Sequence, residues 1–247
     1  MRPFRQSVAV LSTVVLAAAI PAAAAIPAAA QPAITAIRDH IDPAQLRARS
    51  DSFAVMIQGA PRGGQRISIT PRGSSWELQD AITIGSMVQQ SSRITLNSAF
   101  EEISLRQSGV VSGRPMAIAL DFASGQVRGT ADTPSNGPSG VLKIDTTLSA
   151  AVVDDNAVTP LLLALRWHES LDIRFPVLAS GKGTVMTYRI RVLGADSSTV
   201  PAGTFDTWRA ELTADKSTLL LHITRALPHR IVRMTSVGTP FDIQLVK

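Results

Sequence analysis

The sequence predicts an all-β protein, an antiparallel β-roll or incomplete β-barrel with one short helix. Three observations lead to this fold class. Apolar and polar residues alternate over many short segments, and Gly, Pro, Asn and Ser separate these segments at close intervals. One apolar segment does not alternate and follows residues that cap helices. A period of two indicates strands with one buried face, and closely spaced turns are typical of antiparallel rolls, barrels and sandwiches.

Length and composition agree with one folded domain. The chain has 247 residues, of which 45% are hydrophobic and 17% charged, so disordered and collagen-like chains are excluded. It has no cysteine, which excludes disulfides, thiolate catalysis and cysteine-ligated metal centres. Because no internal repeat and no long linker occurs, residues 51–247 are predicted to form a single antiparallel β domain.

Residues 1–30 have the pattern of a secretory signal peptide. Arg2 and Arg5 precede an uncharged run at residues 8–20, and Pro21 and an alanine-rich segment follow. Cleavage fits best before Gln31, and residues 23–25 offer a second site. The run is shorter than the ~20 residues of a membrane span, so we expect an exported chain with no transmembrane span after cleavage. It would stay in the periplasm, associate with the outer membrane or be secreted. Residues 31–50 are predicted to be a polar lead-in.

The charge pattern does not indicate a nucleic-acid partner. Removing Arg2 and Arg5 with the signal peptide lowers the formal net charge from +5 to +3. The remaining arginines are scattered, and aromatic residues make up only 4% of the chain. A nucleic-acid groove needs clustered cations and stacking rings, so this class of partner is excluded.

The alternating segments of the N-terminal half are predicted strands. They are residues 52–58, 65–70, 75–79, 92–96, 102–106, 116–122 and 126–129. Residues 59–64 and 132–140 are rich in Gly and Pro, and we expect a turn and a loop there.

Residues 157–167 form the apolar segment that does not alternate. Asp154, Asp155 and Asn156 offer N-cap oxygens before it, and Pro160 is tolerated in a first helical turn. We predict one short, mostly buried helix that begins near Ala157 or Val158 and ends by residue 168.

The C-terminal third predicts a long hairpin and a meander. Residues 184–194 are a strong strand that leads through 195–198 to a turn at Pro201 and Gly203. Gly203 tolerates the positive φ that a tight reversal requires. Residues 219–223, 230–235 and 241–246 are the strands that complete the meander.

Motifs in this third resemble the DUF3108 family of bacterial exported proteins. The motifs are Val-Pro-Ala-Gly-Thr-Phe-Asp-Thr-Trp-Arg at residues 200–209 and, after a strand, Leu-Pro-His-Arg-Ile-Val-Arg-Met at 227–234. Asp154-Asp155, the leucine-rich segment 161–165 and Phe175-Pro176-Val177 are similar to the family's apolar helix and following strand. Family members often have a Trp in the strand after the hairpin, where this chain has Leu-Leu-Leu-His at 219–222. The resemblance implies an envelope protein whose sheet surrounds an apolar interior, and it assigns no reaction.

Residues with catalytic or metal-binding chemistry are few and scattered. The four histidines, at positions 40, 168, 222 and 229, are never three or four residues apart, and each is typical of a surface or hairpin position. Glu101 and Glu102 would face opposite sides of a strand, and Asp206 could pair with Arg209 or Arg230. We therefore assign no catalytic residue, no metal ligand and no cofactor.

Large apolar residues are the candidate ligand-binding residues. They would line either a closed core or a cavity for an acyl chain or other apolar ligand, with the leucine-rich helix as a plug or lid. These residues are Trp76, Leu162, Leu165, Trp167, Phe175, Met186, Phe205 and Trp208.

The leading hypothesis is a non-enzymatic periplasmic binding or envelope-maintenance protein that holds a lipid or other apolar or amphipathic ligand inside the β-roll. One alternative is an envelope hydrolase that uses His168, His222 or Asp206 in the cavity. The other is an interaction module that pairs with an envelope protein through an exposed β edge.

Overall fold

The alternating segments form one large sheet. The structure is a computed structural model that describes residues 32–137 and 140–247, so the predicted signal peptide lies outside the described residues. The strands are β1 Arg49–Ile57, β2 Ala60–Arg72, β3 Ser75–Ile84, β4 Val88–Leu96, β5 Glu102–Val111, β6 Arg114–Ala123, β7 Gln126–Asp132, β8 Val141–Thr147, β9 Val153–Asp154, β10 Asp172–Ala179, β11 Thr184–Val200, β12 Gly203–Ala214, β13 Ser217–Thr224, β14 Ile231–Ser236 and β15 Phe241–Leu245.

The sheet consists of two meanders that meet through the first and last strands. Its order is β8-β7-β6-β5-β4-β3-β2-β1-β15-β14-β13-β12-β11-β10-β9. β1 pairs with β15 from Phe53 opposite Leu245 to Ile57 opposite Phe241. The pairs are antiparallel apart from β9 with β10, which run parallel. The predicted fold class, all-β with one short helix, is confirmed.

The helix fills the inside of this sheet. Helix α1, Val158–Ala164, follows a 3-10 turn at Asp155–Ala157, and all seven of its residues are buried. The Asp154 carboxylate accepts the backbone N–H of Asn156 and caps the turn. A helix that is buried all round packs within a core rather than at its surface. The predicted short, buried helix is confirmed and begins at Val158, but it ends at Ala164, because Leu165 is already extended.

The segment before β1 packs against the core. Its 3-10 turns lie at Ile37–His40 and Pro43–Gln45. Ile37, Ile41 and Leu46 are buried, so residues 31–50, expected as a polar lead-in, supply three apolar side chains to the core.

Two predicted turns are placed differently. β2 begins at Ala60, because the reversal needs only Gln58 and Gly59, both at positive φ. Gly63 lies within β2, where a Cβ would come within 1.8 Å of the Thr83 carbonyl oxygen, so glycine permits close strand contact. β11 continues through residues 195–198 to Val200, with a register shift near Gly194.

The predicted role of Gly203 is confirmed. The β11–β12 reversal occupies Pro201 and Ala202, and Gly203 has a φ of +130°. A residue with a Cβ would be strained at this φ.

The two ends of the sheet differ. Beyond β10 the edge is covered by β9 and by residues 34–35, where the Thr35 N–H donates to the Arg174 carbonyl. At the other end, β8 pairs with β7 and with no second strand among residues 32–137 and 140–247.

Candidate functional site

A cleft of about 460 Å³ opens at one end of the sheet. We call it the end cleft, and its volume lies within the range of small-molecule sites. It is lined by residues 101–103, 122–127 and 148–150, together with Arg38, Asn97, Val152 and Asp154.

Three connections build the walls of the end cleft. The β4–β5 turn is organised by Asn97, whose side-chain oxygen accepts the backbone N–H groups of Ala99 and Glu101. The β6–β7 reversal contributes Ser124 and Gly125, and the chain between β8 and β9 supplies the remaining wall. The cleft therefore lies where loops, rather than strands, determine the surface.

Arg38 connects three chain segments at the floor of the end cleft. Its guanidinium donates to the carbonyl oxygens of Phe100, Ala150 and Val152 and forms an ion pair with Glu102. Glu102 also accepts the backbone N–H of Asp154 at 2.9 Å. Burial raises the pKa of Glu102, and the Arg38 charge opposes that rise. Arg38 thus joins the segment before β1, the start of β5 and the chain leading to β9.

Two buried carboxyl groups lie behind this floor. The Asn156 side-chain amide donates to Asp154 at 3.0 Å and to Asp155 at 2.9 Å, and the Ser180 hydroxyl donates to Asp155 at 2.7 Å. Burial, and then the neighbouring Asp155 carboxyl, raises the pKa of Asp154 well above its ordinary value. Burial likewise raises the pKa of Asp155. These groups connect β9, the helix start and the end of β10, so their contacts position the helix.

The inner face of β2–β5 carries a row of polar side chains. We call it the polar band: Gln65, Asp80, Ser92 and Gln107. Gln65 Nε2 donates to both Asp80 oxygens, at 2.9 and 2.8 Å. Asp80 lies opposite Ser92, and Ser92 lies opposite Gln107. Burial raises the pKa of Asp80 to about 6.

A small cavity separates the polar band from the helix. Its volume is about 20 Å³, enough for one water molecule. Asp80 and Ser92 border it from the sheet, and Asp155, Asn156 and Thr159 border it from the helix side. The interior near the helix is thus nearly filled.

The eight predicted ligand-binding residues belong to the packed interior. Leu162, Leu165, Trp167 and Phe175 are buried in the core, while Trp76, Met186, Phe205 and Trp208 pack against it and are partly exposed. The Trp167 indole N–H donates to the Leu162 carbonyl at 2.9 Å, and Arg225 lies over the Trp208 ring. None of the eight lines the end cleft or the small cavity. Their role in ligand binding stays a prediction.

The structure does not bring His168, His222 and Asp206 together. His168 is exposed and contacts Ser170. His222 is buried and lies 3.4 Å from the Thr207 hydroxyl, whereas Asp206 is exposed and points to the opposite face of β12.

Other polar side chains also differ from expectation. His229 is buried, and its ring contacts the Thr224 carbonyl at 2.7 Å. Burial lowers the pKa of both His222 and His229. Arg230 pairs with Asp51 at 2.7 Å instead of with Asp206.

The described part of the chain contains neither a cluster of metal-ligating side chains nor a helix that could span a membrane. Residues 32–137 and 140–247 contain no group of three or more His, Asp or Glu side chains arranged to hold a metal ion. Helix α1 has seven residues, and across these ranges no helix has the length and hydropathy of a membrane span.

Comparison with known families identifies the chain. Residues 64–246 match DUF3108, described as a protein of unknown function. The chain belongs to the DUF3108 family. The match begins within β2 and reaches into the last strand, so it includes the connections that form the end cleft. No curated protein matches the chain.

A solved structure shares the fold of this DUF3108 chain. It is the crystal structure of a β-barrel-like protein of domain of unknown function DUF1849 from Brucella abortus. The TM-score is 0.53 at 8% sequence identity, and the match covers 81% of this chain and 98% of the other. At this identity the likeness shows the fold alone.

Sequence reasoning did not find the end cleft. Arg38 and Glu102 are 64 positions apart, and Arg38 lies in a segment interpreted as a lead-in. The one feature of the sequence that could have indicated the cleft is the position of Glu102 at the first residue of a strand, next to Glu101 in the turn. Local sequence patterns cannot show which distant cation such a residue pairs with.

Proposed function

We propose that this DUF3108 protein is an exported, non-catalytic binding protein of the cell envelope, and that an amphipathic ligand with a cationic head group binds in its end cleft. The observation that carries the proposal is a cleft of about 460 Å³ with an apolar wall, an exposed carboxylate and a floor whose arginine is already engaged. Export is supported by the signal-peptide pattern of residues 1–30.

The apolar wall suits the body of such a ligand. Phe122 and Leu148 line the cleft and are partly exposed, and Ile103 is 41% exposed at its margin. Covering these side chains would remove apolar surface from water, which contributes about 25 cal/mol for each Å².

Glu101 supplies the polar end of the site. It is exposed, and its carboxylate accepts only a neutral donor, the Asn97 side-chain amide, at 2.7 Å. Arg38 directs its donors to three carbonyl groups and Glu102, so Arg38 does not pair with the Glu101 carboxylate. A cationic head group matches this arrangement, while an anionic one would be repelled.

Calorimetry with three twelve-carbon amphiphiles below their micelle concentrations tests the proposal. The probes are dodecyltrimethylammonium, dodecyl maltoside and dodecyl sulfate. We expect saturable one-to-one binding of the cation, weaker binding of the neutral probe and none of the anion.

Matched variants locate the binding site. Glu101→Gln should weaken binding of the cation about tenfold, whereas Ile103→Ser should weaken the cationic and neutral probes alike. Glu169→Gln and Val185→Ser change exposed residues outside the cleft and should have no effect. Absence of saturable binding, or equal binding by wild type and both cleft variants, would refute the proposal.

A further inference from the structure

The open side of β8 is an unpaired sheet edge. β8 pairs only with β7 within the described ranges, and five of its seven residues are exposed. Val141 is 61% exposed, a high value for a large apolar residue in a strand. Such an edge offers a row of backbone N–H and C=O groups to another strand.

The sequence of β8 is complementary to itself. In an antiparallel pair of identical strands centred on Ile144, the seven residues of one copy cover all seven of the other. Lys143 then lies opposite Asp145 of the second copy, and Asp145 lies opposite its Lys143. These side chains are exposed in the single chain. Opposite charges at facing positions stabilise an antiparallel pair.

Charge also excludes the neighbouring registers. Centring the pair on Lys143 places two lysines opposite each other, and centring it on Asp145 places two aspartates opposite each other. Like charges at facing positions destabilise a sheet. Centring on Leu142 or Thr146 pairs neither Lys143 nor Asp145 with an opposite charge and shortens the overlap. The register centred on Ile144 is the one that satisfies both charges.

We infer that two copies of this protein associate through antiparallel pairing of their β8 strands, in the register that places Ile144 of each copy on the two-fold axis. The pairing joins two sheets through β-strand addition. Because a single strand pair buries little area, the dimer is weak and forms at high protein concentration.

Sedimentation of protein recovered after export tests this inference with charge reversals. Wild type should associate as its concentration rises from micromolar to millimolar. Lys143→Glu and Asp145→Lys should each weaken association about tenfold or more, because each places two like-charge pairs across the axis. The double variant should associate like wild type.

Mixing the two single variants tests most directly whether the facing charges determine association. A heterodimer of Lys143→Glu with Asp145→Lys has opposite charges at both facing positions, so the mixture should associate although neither variant does alone. Arg106→Glu and Asp121→Lys reverse an exposed ion pair on β5 and β6, away from the edge, and should associate like wild type. Circular dichroism checks that every variant is folded.

A cysteine variant tests the register itself. Because the chain has no cysteine, the cysteine introduced by Ile144→Cys can form a disulfide only with the same residue of a second copy. Facing residues in an antiparallel pair have Cα atoms about 4.5–5.5 Å apart, within disulfide range. Lys143→Cys is the matched control, because its two copies would be more than about 7 Å apart and should remain reduced.

Several results would overturn the inference. One is a wild-type chain that stays monomeric at every concentration. Another is single reversals that associate as wild type does. A third is protection from hydrogen exchange, unchanged on dilution, of those β8 amide groups that do not bond to β7, since the edge would then be covered within one chain.

Discussion

The two meanders present different inner faces to the helix between them. The C-terminal face is apolar, with Phe175, Ile190 and Leu221 fully buried, and Phe175 packs edge-on against Tyr188. The N-terminal face carries the polar band across four strands. Both amide atoms of Gln107 and the side-chain oxygen of Gln65 are buried without a hydrogen-bond partner. Both halves contribute stability through apolar packing, but the N-terminal half also contains a row of polar groups whose burial costs free energy.

The sheet edges show the same asymmetry. β10 is covered by β9 and by the segment before β1, and Arg38 fastens that segment through a nearly buried ion pair. β8, the bare edge, has no second strand partner among the described residues, and the ion pair between its Asp145 and Arg128 of β7 is about two-thirds exposed. The nearly buried Arg38–Glu102 pair therefore contributes to the stability of the fold. The exposed Arg128–Asp145 pair contributes little and leaves Asp145 accessible at the bare edge.

The largest effect is expected from the Arg38–Glu102 pair. Arg38→Met keeps the apolar stem but leaves Glu102 buried without its cation, which should lower the free energy of unfolding by about 3–5 kcal/mol. Urea denaturation measures the loss. Arg128→Met at the bare edge is the control and should cost no more than about 1 kcal/mol, because its pair is exposed. Equal losses in the two variants would contradict the contrast between the edges.

Truncation within the helix should have the next largest effect. Leu162 is 1% exposed at the centre of α1, so Leu162→Ala should cost about 2–5 kcal/mol by leaving a cavity. Thermal and urea denaturation report the loss. Leu142→Ala, at a half-buried position on β8, should cost clearly less. A larger loss at β8 would contradict the expectation that the helix centre is packed more tightly than the edge strand.

Asp80 should make stability depend on pH. Its pKa is raised to about 6 in the folded protein, whereas an unfolded Asp titrates near 3.8. The folded state therefore holds this proton more tightly, and stability falls as the pH rises from about 4 to above 6. Asp80→Asn removes that loss, so its stability relative to wild type should increase by about 2–3 kcal/mol between those pH values.

Denaturation at several pH values measures this difference. Ser92→Ala changes a neighbour that does not titrate, and its difference from wild type should not vary with pH. An Asp80→Asn difference that is constant from about pH 4 to pH 7 would show that Asp80 titrates normally.

The smallest effect is expected at Gln107. Gln107→Leu replaces a buried amide that has no partner with an apolar side chain of similar size, and should stabilise the protein by up to about 1 kcal/mol. The matched change Gln65→Leu should destabilise it, because Asp80 would lose both of its hydrogen bonds. Urea denaturation should show changes of opposite sign in the free energy of unfolding for the two variants. A large loss of stability in Gln107→Leu would instead show that the Gln107 amide is hydrogen-bonded.

Local patterns in the sequence predicted the strands that alternate well and the helix. They did not predict β8 and β9, because β8 follows a loop rich in Gly and Pro and β9 has only two residues. The polar band was also missed. Asp80 and Gln107 occupy inward positions on their strands, and the interpretation of alternation assumed that polar residues face outward.

The candidate site could not be predicted from local patterns. Arg38 and Glu102 are far apart in the chain, and only the complete sheet brings them to one end of the barrel. Large apolar residues such as Phe175 and Leu162 were correctly expected inside. Composition does not distinguish a packed interior from a hollow one, since both need the same residue types.

The strand order has a consequence for folding kinetics. Nearly every neighbouring pair in the sheet is a hairpin, so each meander forms through contacts that are short in sequence. The pairing of Phe53 with Leu245 instead closes a loop that contains almost the whole β domain, from residue 53 to residue 245. Closing so long a loop costs entropy, although that cost grows only slowly with length. We therefore expect the two ribbons to form first and the strands nearest the two ends of the domain to join them last.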